Sequence, residues 1–278
     1  MNPSADTASA ALAFSRLLRA HRSIRRFHST PIEPAFIDGL LAQAWAGTSS
    51  SGNLNMVSVV KTADPERKAR LHGMHLQQAM VLQAPLVLTF CADSFRTREW
   101  LAQRGARLGF ADFYSWHVAA FDAMLLSQTV ALALESHGLG ICYMGTTVRA
   151  MREIADFLEL PENCLPVTSL VVGWPDEAPA QRDRLPPQAW IHAERYQRPT
   201  PASIDRDFTE REQQGRERYL AMGPEMVAAW QAHGIDSLAQ YYTSKIKYDP
   251  DGFAVASAAV ETLLRERGFL VAGADHGG

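Results

Sequence analysis

Four short groups of residues in this sequence have side chains able to grip a charged or planar ligand. The first is His21-Arg22-Ser23-Ile24-Arg25-Arg26: three guanidiniums, a hydroxyl and an imidazole at a break between two helical stretches. An Arg fork matches the oxygens of a phosphate, and a hydroxyl with nearby backbone N–H groups adds donors. The group is a candidate anion cradle; standing alone, it reads equally well as a solvated basic linker. The second, Thr48-Ser49-Ser50-Ser51-Gly52-Asn53-Leu54-Asn55, sits between a helix and a strand, where binding loops concentrate. Its hydroxyls and amides suit a ring that needs donors and acceptors, although by itself it could be a polar turn. The third is Gly138-Leu139-Gly140-Ile141-Cys142-Tyr143-Met144-Gly145. It is no dinucleotide fingerprint, because Tyr143 stands where the last glycine should be and a helix, not a strand, precedes it. Gly138 reads as a helix stop, and Gly145 could let backbone approach a flat ligand. The fourth is Arg182-Asp183-Arg184, two cations that project alike if the segment is extended. They could close on the same anion as Arg25, or belong to a solvated charged arm.

Other chemistries lack their residues. There is no GxSxG elbow. His72 and His75 do not form HExxH, and no acid or cysteine stands near them at ligand spacing. Cys91, Cys142 and Cys164 lie among apolar residues and read as small buried hydrophobes.

The elements that must position these groups follow from periodicity and punctuation. Apolar spacing predicts a helix over 8–20 and a second from Pro34 to about residue 45, with Gly47 placed to end it. Residues 56–60 read as a short strand. Asp64-Pro65-Glu66 reads as an N-cap, a first-turn proline and a first-turn acid. The apolar runs 86–91 and 166–172 read as buried strands, and 141–144 as a strand or turn. Residues 116–137 form the longest helical candidate, apolar nearly all round, hence buried by the core or by a partner chain. A helix is expected at 149–158. Strand signals stop beyond Asp176, leaving a charged arm and helices near 224–233, 236–246 and 255–267. Without a βαβ rhythm, this favours one α+β domain, helices packed on a sheet, with a helical C-terminal extension.

At 278 residues, and about 150 per domain, the chain makes two domains or one large one. Its 27 Lys+Arg against 30 Asp+Glu give a formal charge of −3, too balanced for the basic stripe of a nucleic-acid binder. Hydrophobic residues at 47% exclude a disordered chain, and three cysteines exclude a disulfide scaffold and fit a reducing compartment. No basic region precedes the first apolar stretch, and the two longest uncharged stretches are broken by polar residues. A soluble cytoplasmic protein with no membrane partner is therefore expected. Charge is uneven: residues 176–218 hold 8 Arg, 9 acids and no Lys.

Taken in order, the four groups resemble a known family. HRSIRRF, TSSSGNL, FCAD at 90–93, GLGICYMG and GWPDEAPAQRDRLP at 173–186 recur in similar form among the FMN-dependent nitroreductases and flavin reductases. The likeness is nearest to the NADPH-preferring, oxygen-insensitive nitroreductases and to the flavin reductases of luminous bacteria, and it spans about residues 12–196. It implies a nitroreductase-like α/β/α sandwich with a mixed, mainly antiparallel central sheet and a long central helix. It also implies an entwined homodimer with FMN at the interface. On this likeness residues 1–196 form the FMN-binding domain, and 197–278 a charged arm and helical extension packed on it.

The resemblance assigns roles by position. His21, Arg22, Ser23 and Arg25 would hold phosphate and ribityl, joined at the phosphate by Arg182 and Arg184. Ser49, Ser50, Ser51 and Asn53 would reach the ribityl or ring from the partner subunit. Gln78, with Gln77 as the alternative, would meet the ring. Tyr143, Met144, Gly145 and Thr146 would lie along it, with backbone N–H near its reactive nitrogen. Many relatives have Lys then Arg where Arg182 and Arg184 stand, a change that keeps the charge and alters its geometry. The implied activity is NADPH-dependent two-electron reduction of a small aromatic acceptor, nitroaromatic or quinone, by ping-pong transfer at flavin N5. The cofactor carries the chemistry, so no dedicated catalytic acid or base is expected. The alternatives are a free-flavin reductase serving a partner enzyme and a non-catalytic flavin-binding protein. Arg206, Arg211, Arg216 and Arg218 on the charged arm are candidates for the 2′-phosphate of NADPH.

Overall fold

The computed structural model describes residues 5–270, which divide into two compact units, 5–180 with 259–270, and 181–258. The predicted helix over 8–20 becomes α1 (Ala5–Ala20), and the one from Pro34 becomes α2 (Pro34–Ala46), with Pro34 at its first position and Gly47 closing it. The strand expected at 56–60 is β1 (Val57–Thr62). Asp64 caps α3 (Pro65–Met74) by accepting from the Arg67 N–H at 2.9 Å. A short α4 (Met80–Gln83) precedes β2 (Leu86–Asp93). Next come α5 (Phe95–Gln103) and α6 (Phe113–Ser136), the latter capped by Asp112. β3 (Gly140–Tyr143), α7 (Thr146–Arg149), α8 (Met151–Phe157) and β4 (Cys164–Gly173) complete the run.

The four strands form one sheet in the order β1-β2-β4-β3, and all three ladders are antiparallel. The sequence shows why helices cover both faces. β2 is apolar without a break, and its alternate residues point to opposite sides. Leu86, Leu88 and Phe90 pack with Leu170, Val172 and Ile141 against α2 and α6. Val87, Val171 and Cys142 pack on the other face against α3, α4 and α8, through Leu71, Met80, Val81, Ile154 and Phe157. The result is the expected α/β/α sandwich around a long central helix. Each fully buried Leu or Phe of these layers contributes about 1.5–3 kcal/mol. The β2–β4 ladder shifts register between Phe90 and Cys91, opposite Pro166, which has no N–H to donate.

α4 and α5 had no clear sequence signal. α4 is one turn, held by the buried Lys68, whose Nζ donates to the Leu82 and Ala84 carbonyls at 3.2 and 2.6 Å. Burial pushes the Lys68 ammonium down from its ordinary value. α5 has only a weak apolar stripe.

The second unit corrects the reading of residues 197–223 as a mere charged arm. Thr200 and Ser203 make a reciprocal capping box that starts α9 (Pro201–Leu220), twenty residues rich in Arg, Glu, Gln and Asp. Its charge density hid the apolar stripe. α10 (Pro224–Ala232) and α11 (Leu238–Tyr242) follow, and Trp230, Ile235, Leu238 and Tyr241 form a small core. α12 (Pro250–Glu266) carries the chain back into the first unit, where Leu263, Leu264 and Phe269 are buried. There Asn163 Nδ2 donates to the Gly268 carbonyl at 2.9 Å, and the Asn163 N–H donates to the Arg267 carbonyl at 2.8 Å.

Candidate functional site

The segment after α1 runs as an extended strip along the sheet edge. The Ile24 N–H donates to the Ile141 carbonyl and the His28 N–H to the Trp174 carbonyl, both at 2.9 Å, and Phe27 bridges to Pro175. Two glycines permit this approach. A Cβ on Gly140 would lie 2.7 Å from Ile24 Cγ1, and one on Gly173 would lie 2.8 Å from Phe27 Cδ1. Burying Ile24 and Phe27 fixes the strip, leaving Arg25 and Arg26 exposed and His21, Arg22 and Ser23 half-buried.

The electrostatics around this strip are unfinished. His21 Nδ1 lies 2.7 Å from Glu135 Oε1. Burial pushes the Glu135 carboxyl above its ordinary value, opposed by the His21 hydrogen bond and charge. Arg22 Nε and Glu135 Oε2 are buried without hydrogen-bond partners, and both residues line a cavity of about 250 Å³. An unpaired buried guanidinium N–H costs about 1–3 kcal/mol unless a ligand or water accepts from it. Glu177, which sequence reasoning missed, accepts from the N–H groups of Arg25 and Arg26 and pairs with Arg26 Nε at 3.4 Å. It fixes the backbone from which the guanidiniums project.

A second cluster forms at the end of β3. Tyr143 faces α6, its hydroxyl 3.1 Å from Ser127 Oγ, and burial pushes that phenol up. The Met144 N–H donates to the Ser169 carbonyl at 2.8 Å, and Gly145 is exposed, with nothing within 4 Å of a built Cβ. Thr146 opens α7. Its Oγ1 lies 2.8 Å from His75 Nδ1 and accepts from Gln78 Nε2 at 3.4 Å. Of the two candidate glutamines, Gln78 is thus the one joined to Thr146; Gln77 is exposed. His75 is fully buried, and burial holds its imidazole down to about 4, so it is neutral at ordinary pH.

The serine loop depends on a residue the sequence reading passed over. Asp122 Oδ2 accepts from Ser50 Oγ at 2.6 Å and Oδ1 from the Ser51 N–H at 3.0 Å. Ser50 Oγ in turn accepts from the Asn55 N–H at 2.9 Å. Gly52, Asn53 and Asn55 all have φ between 55° and 58°, so Asn53 shapes the turn as well as offering an amide. A lone carboxylate in the apolar AAFDAMLL stretch of α6 was the available signal, because a buried acid needs partners. Asp122 and Ser127 stand about 7.5 Å apart along the helix, so α6 anchors both the loop and Tyr143.

Arg182 and Arg184 belong to the second unit. Arg184 Nη1 donates to the carbonyls of Arg182 and Asp183 at 3.2 and 2.9 Å. The Asp183 carboxylate holds Arg211 at 2.8 Å and Arg218 at 3.3 Å. Aromatic rings lie under these cations: Arg211 over Tyr242, Arg218 over Tyr219, and Lys247 over Tyr219 and Tyr248. Arg206 pairs instead with Asp207, at 2.9 Å. Arg216 lines a groove of about 920 Å³ alongside Asp205, Glu212, Glu217 and Asp236. Among the described residues no group of His, Cys, Asp and Glu is arranged to hold a metal.

Residues 18–174 match the sequence pattern of the Nitroreductase family. The chain is 32% identical over 178 residues to the FMN reductase (NADPH) of Bacillus subtilis, covering 63% of this chain and 71% of that one. It is 33% identical over 181 residues to the oxygen-insensitive NADPH nitroreductase of Salmonella typhimurium, covering 65% and 73%. The solved structure of the NADPH:FMN oxidoreductase from Vibrio harveyi complexed with NAD+ superposes with a TM-score of 0.73 at 26% identity, over 92% of this chain and 98% of that one.

Proposed function

The chain belongs to the nitroreductase family, and from that premise we propose that it is an NADPH-dependent FMN oxidoreductase that reduces nitroaromatic compounds or quinones. The observation that carries the reading is a pair of incomplete donor sets in one unit. Arg22 Nε is buried with no acceptor, and Gln78 and Thr146 are joined beside the open face of Gly145. The first suits a phosphate, the second the polar edge of a flat ring.

FMN supplies hydride transfer when bound. His21, Arg22, Ser23 and Arg25 would hold its phosphate and ribityl, and Tyr143, Met144, Gly145, Thr146 and Gln78 its ring, with Ser49, Ser50, Ser51 and Asn53 contributing from the partner subunit. The protein's part is to bind and orient; no side chain is required to move a proton. Arg182 and Arg184 are proposed at the phosphate. For the 2′-phosphate of NADPH the favoured pair is Arg211 and Arg218, with Lys247. Asp183 aligns the two guanidiniums, and Lys247 lies over the same Tyr219 ring as Arg218. Arg216 stands among four acids, the wrong sign for a phosphate, and Arg206 is taken up by Asp207.

The homodimer is proposed from α6 and α1. Phe121, Met124 and Leu125 on α6, and Leu12, Phe14 and Leu18 on α1, are 42–54% exposed. Apolar residues grouped in this way mark an interaction surface. By length and composition α6 could also cross a membrane, but nine of its residues are buried in the protein core.

The test is a purified protein that is yellow, or becomes so with added FMN, and bleaches within seconds of mixing with NADPH. A colourless protein that takes up no FMN rules the reading out. Double-reciprocal plots with NADPH and a nitro or quinone acceptor should give parallel lines, as alternate use of one pocket requires. The relative named FMN reductase favours a second reading, reduction of free flavin. Faster turnover of added FMN than of a nitro compound at equal concentration would select it.

A further inference from the structure

The chain spends conformational energy on the turn that delivers Gln78. His75 ends α3, and the next two residues, Leu76 and Gln77, both take the left-handed conformation, φ 55° and 54°. For residues with a side chain this costs roughly 1–2 kcal/mol each. The turn is closed by the Gln77 N–H on the His72 carbonyl at 2.9 Å and the Gln78 N–H on the His75 carbonyl at 3.3 Å. Only one side chain in this turn is fully buried: that of His75, pinned to Thr146.

The tautomer follows from the surroundings. Nε2 is buried with no partner. A proton there would leave a buried donor unsatisfied, whereas a bare ring nitrogen leaves only an acceptor, the milder penalty. The imidazole is neutral, so its single proton sits on Nδ1 and is donated to Thr146 Oγ1. That oxygen also accepts from Gln78 Nε2, which fills both of its lone pairs. The Thr146 O–H must then donate elsewhere. Gln78 Nε2 spends its two protons on Thr146 and on the His75 carbonyl, at 3.4 and 3.1 Å, so its Oε1 is left to accept.

We propose that His75 is a positioning residue for the flavin ring, fixing the Thr146 hydroxyl as a donor and the Gln78 oxygen as the acceptor beside it. Such a pair is complementary to the edge of a flavin pyrimidine, where a carbonyl oxygen adjoins an N–H. The inference rests on the FMN reading and goes beyond it by giving a role to a histidine buried away from the ligand.

The test compares wild type with His75→Phe, His75→Asn, Thr146→Val and the double variant His75→Phe/Thr146→Val. The readouts are FMN affinity by fluorescence titration and the midpoint potential of the bound flavin. Asn places an amide N–H near the position of Nδ1. His75→Phe and Thr146→Val should each weaken FMN binding about tenfold, the worth of one well-placed hydrogen bond. Both should make the potential more negative, because a donor to the ring favours its electron-rich form. The double variant should be no weaker than either single, and His75→Asn should stay within about twofold of wild type. Wild-type behaviour of folded His75→Phe, additive single effects, or an Asn variant as defective as Phe would each overturn the proposal while leaving the FMN reading intact. If His75→Phe fails to fold, Thr146→Val against His75→Asn decides: a weakened Thr146→Val with an intact Asn variant supports the proposal, and any other pattern overturns it. Wild type that binds no FMN overturns both.

Discussion

Arg25 is exposed while its backbone is fixed on both sides, by the Ile24 bond to β3 and by Glu177. Its guanidinium is therefore presented from a rigid base, and Arg25→Ala should lose about 1.5–3 kcal/mol of FMN binding, the worth of a hydrogen bond to a charged group. A flavin titration with unchanged affinity would remove Arg25 from the site. Asp122 sets a different kind of test. Asp122→Ala strips acceptors from Ser50 Oγ and the Ser51 N–H, so urea unfolding should show a loss of about 1–3 kcal/mol. His75 adds a pH dependence. The unfolded imidazole takes up its proton near pH 6.5, and the folded one not until about 4. The unfolded state binds more protons between those values, so His75 makes stability fall with acidification across that window, by at most about 1.4 kcal/mol per unit, with no further slope below it. Subtracting the urea midpoints of His75→Asn from those of wild type at each pH isolates this slope; a flat difference would show that His75 takes up its proton alike in both states. The basic group, the serine loop and the glycine motif were legible because their residue types advertise ligands. Asp122, Glu177 and His75 were not, because each acts on another residue from a place that only the tertiary fold brings near.

At the scale of elements, both candidate clusters hang on strand ends. Gly140 starts β3 and Gly173 ends β4, and the strip carrying Arg22, Ser23 and Arg25 lies against both. Gly140→Ala would push a methyl into Ile24, at 2.7 Å, against a side chain with no room to retreat. Overpacking of this kind costs roughly 1–3 kcal/mol. Melting temperature and FMN affinity should therefore fall together; a melting temperature equal to wild type would mean the strip can shift without loss. Strands and long helices were readable from period and apolar content: 86–91, 141–144 and 166–172 lie within β2, β3 with its next residue, and β4. α9 escaped because nine of its twenty residues are charged, which weakens the periodic signal, although its Thr200-Pro201 start was visible in the sequence. The tight turn at Leu76-Gln77 carries no glycine, so nothing marked it.

For the whole molecule, the near-neutral charge hides a local order in which the arginines are assigned to different carboxylates: Asp183, Asp207 and Glu177. Arg218→Ala should raise the KM for NADPH by about tenfold and leave that for NADH nearly unchanged, since only the former carries the extra phosphate. Equal effects on both would place the 2′-phosphate elsewhere. The exposed apolar row on α6 belongs to this scale too. Phe121→Asp should turn a dimer into a monomer in sedimentation analysis, and a dimer of undiminished affinity would move the interface off α6. The path of the chain carries one more consequence. Residues 181–258 leave the first unit and α12 returns to it, so this stretch is an insertion with both flanks tied down. Leu263, Leu264, Phe269 and the Asn163–Gly268 bond hold the returning end. A single protease nick inside 181–258 should therefore leave two fragments that co-elute under native conditions and part only in denaturant. A shorter linker joining the flanks is accordingly the natural first design for a reduced, single-unit scaffold.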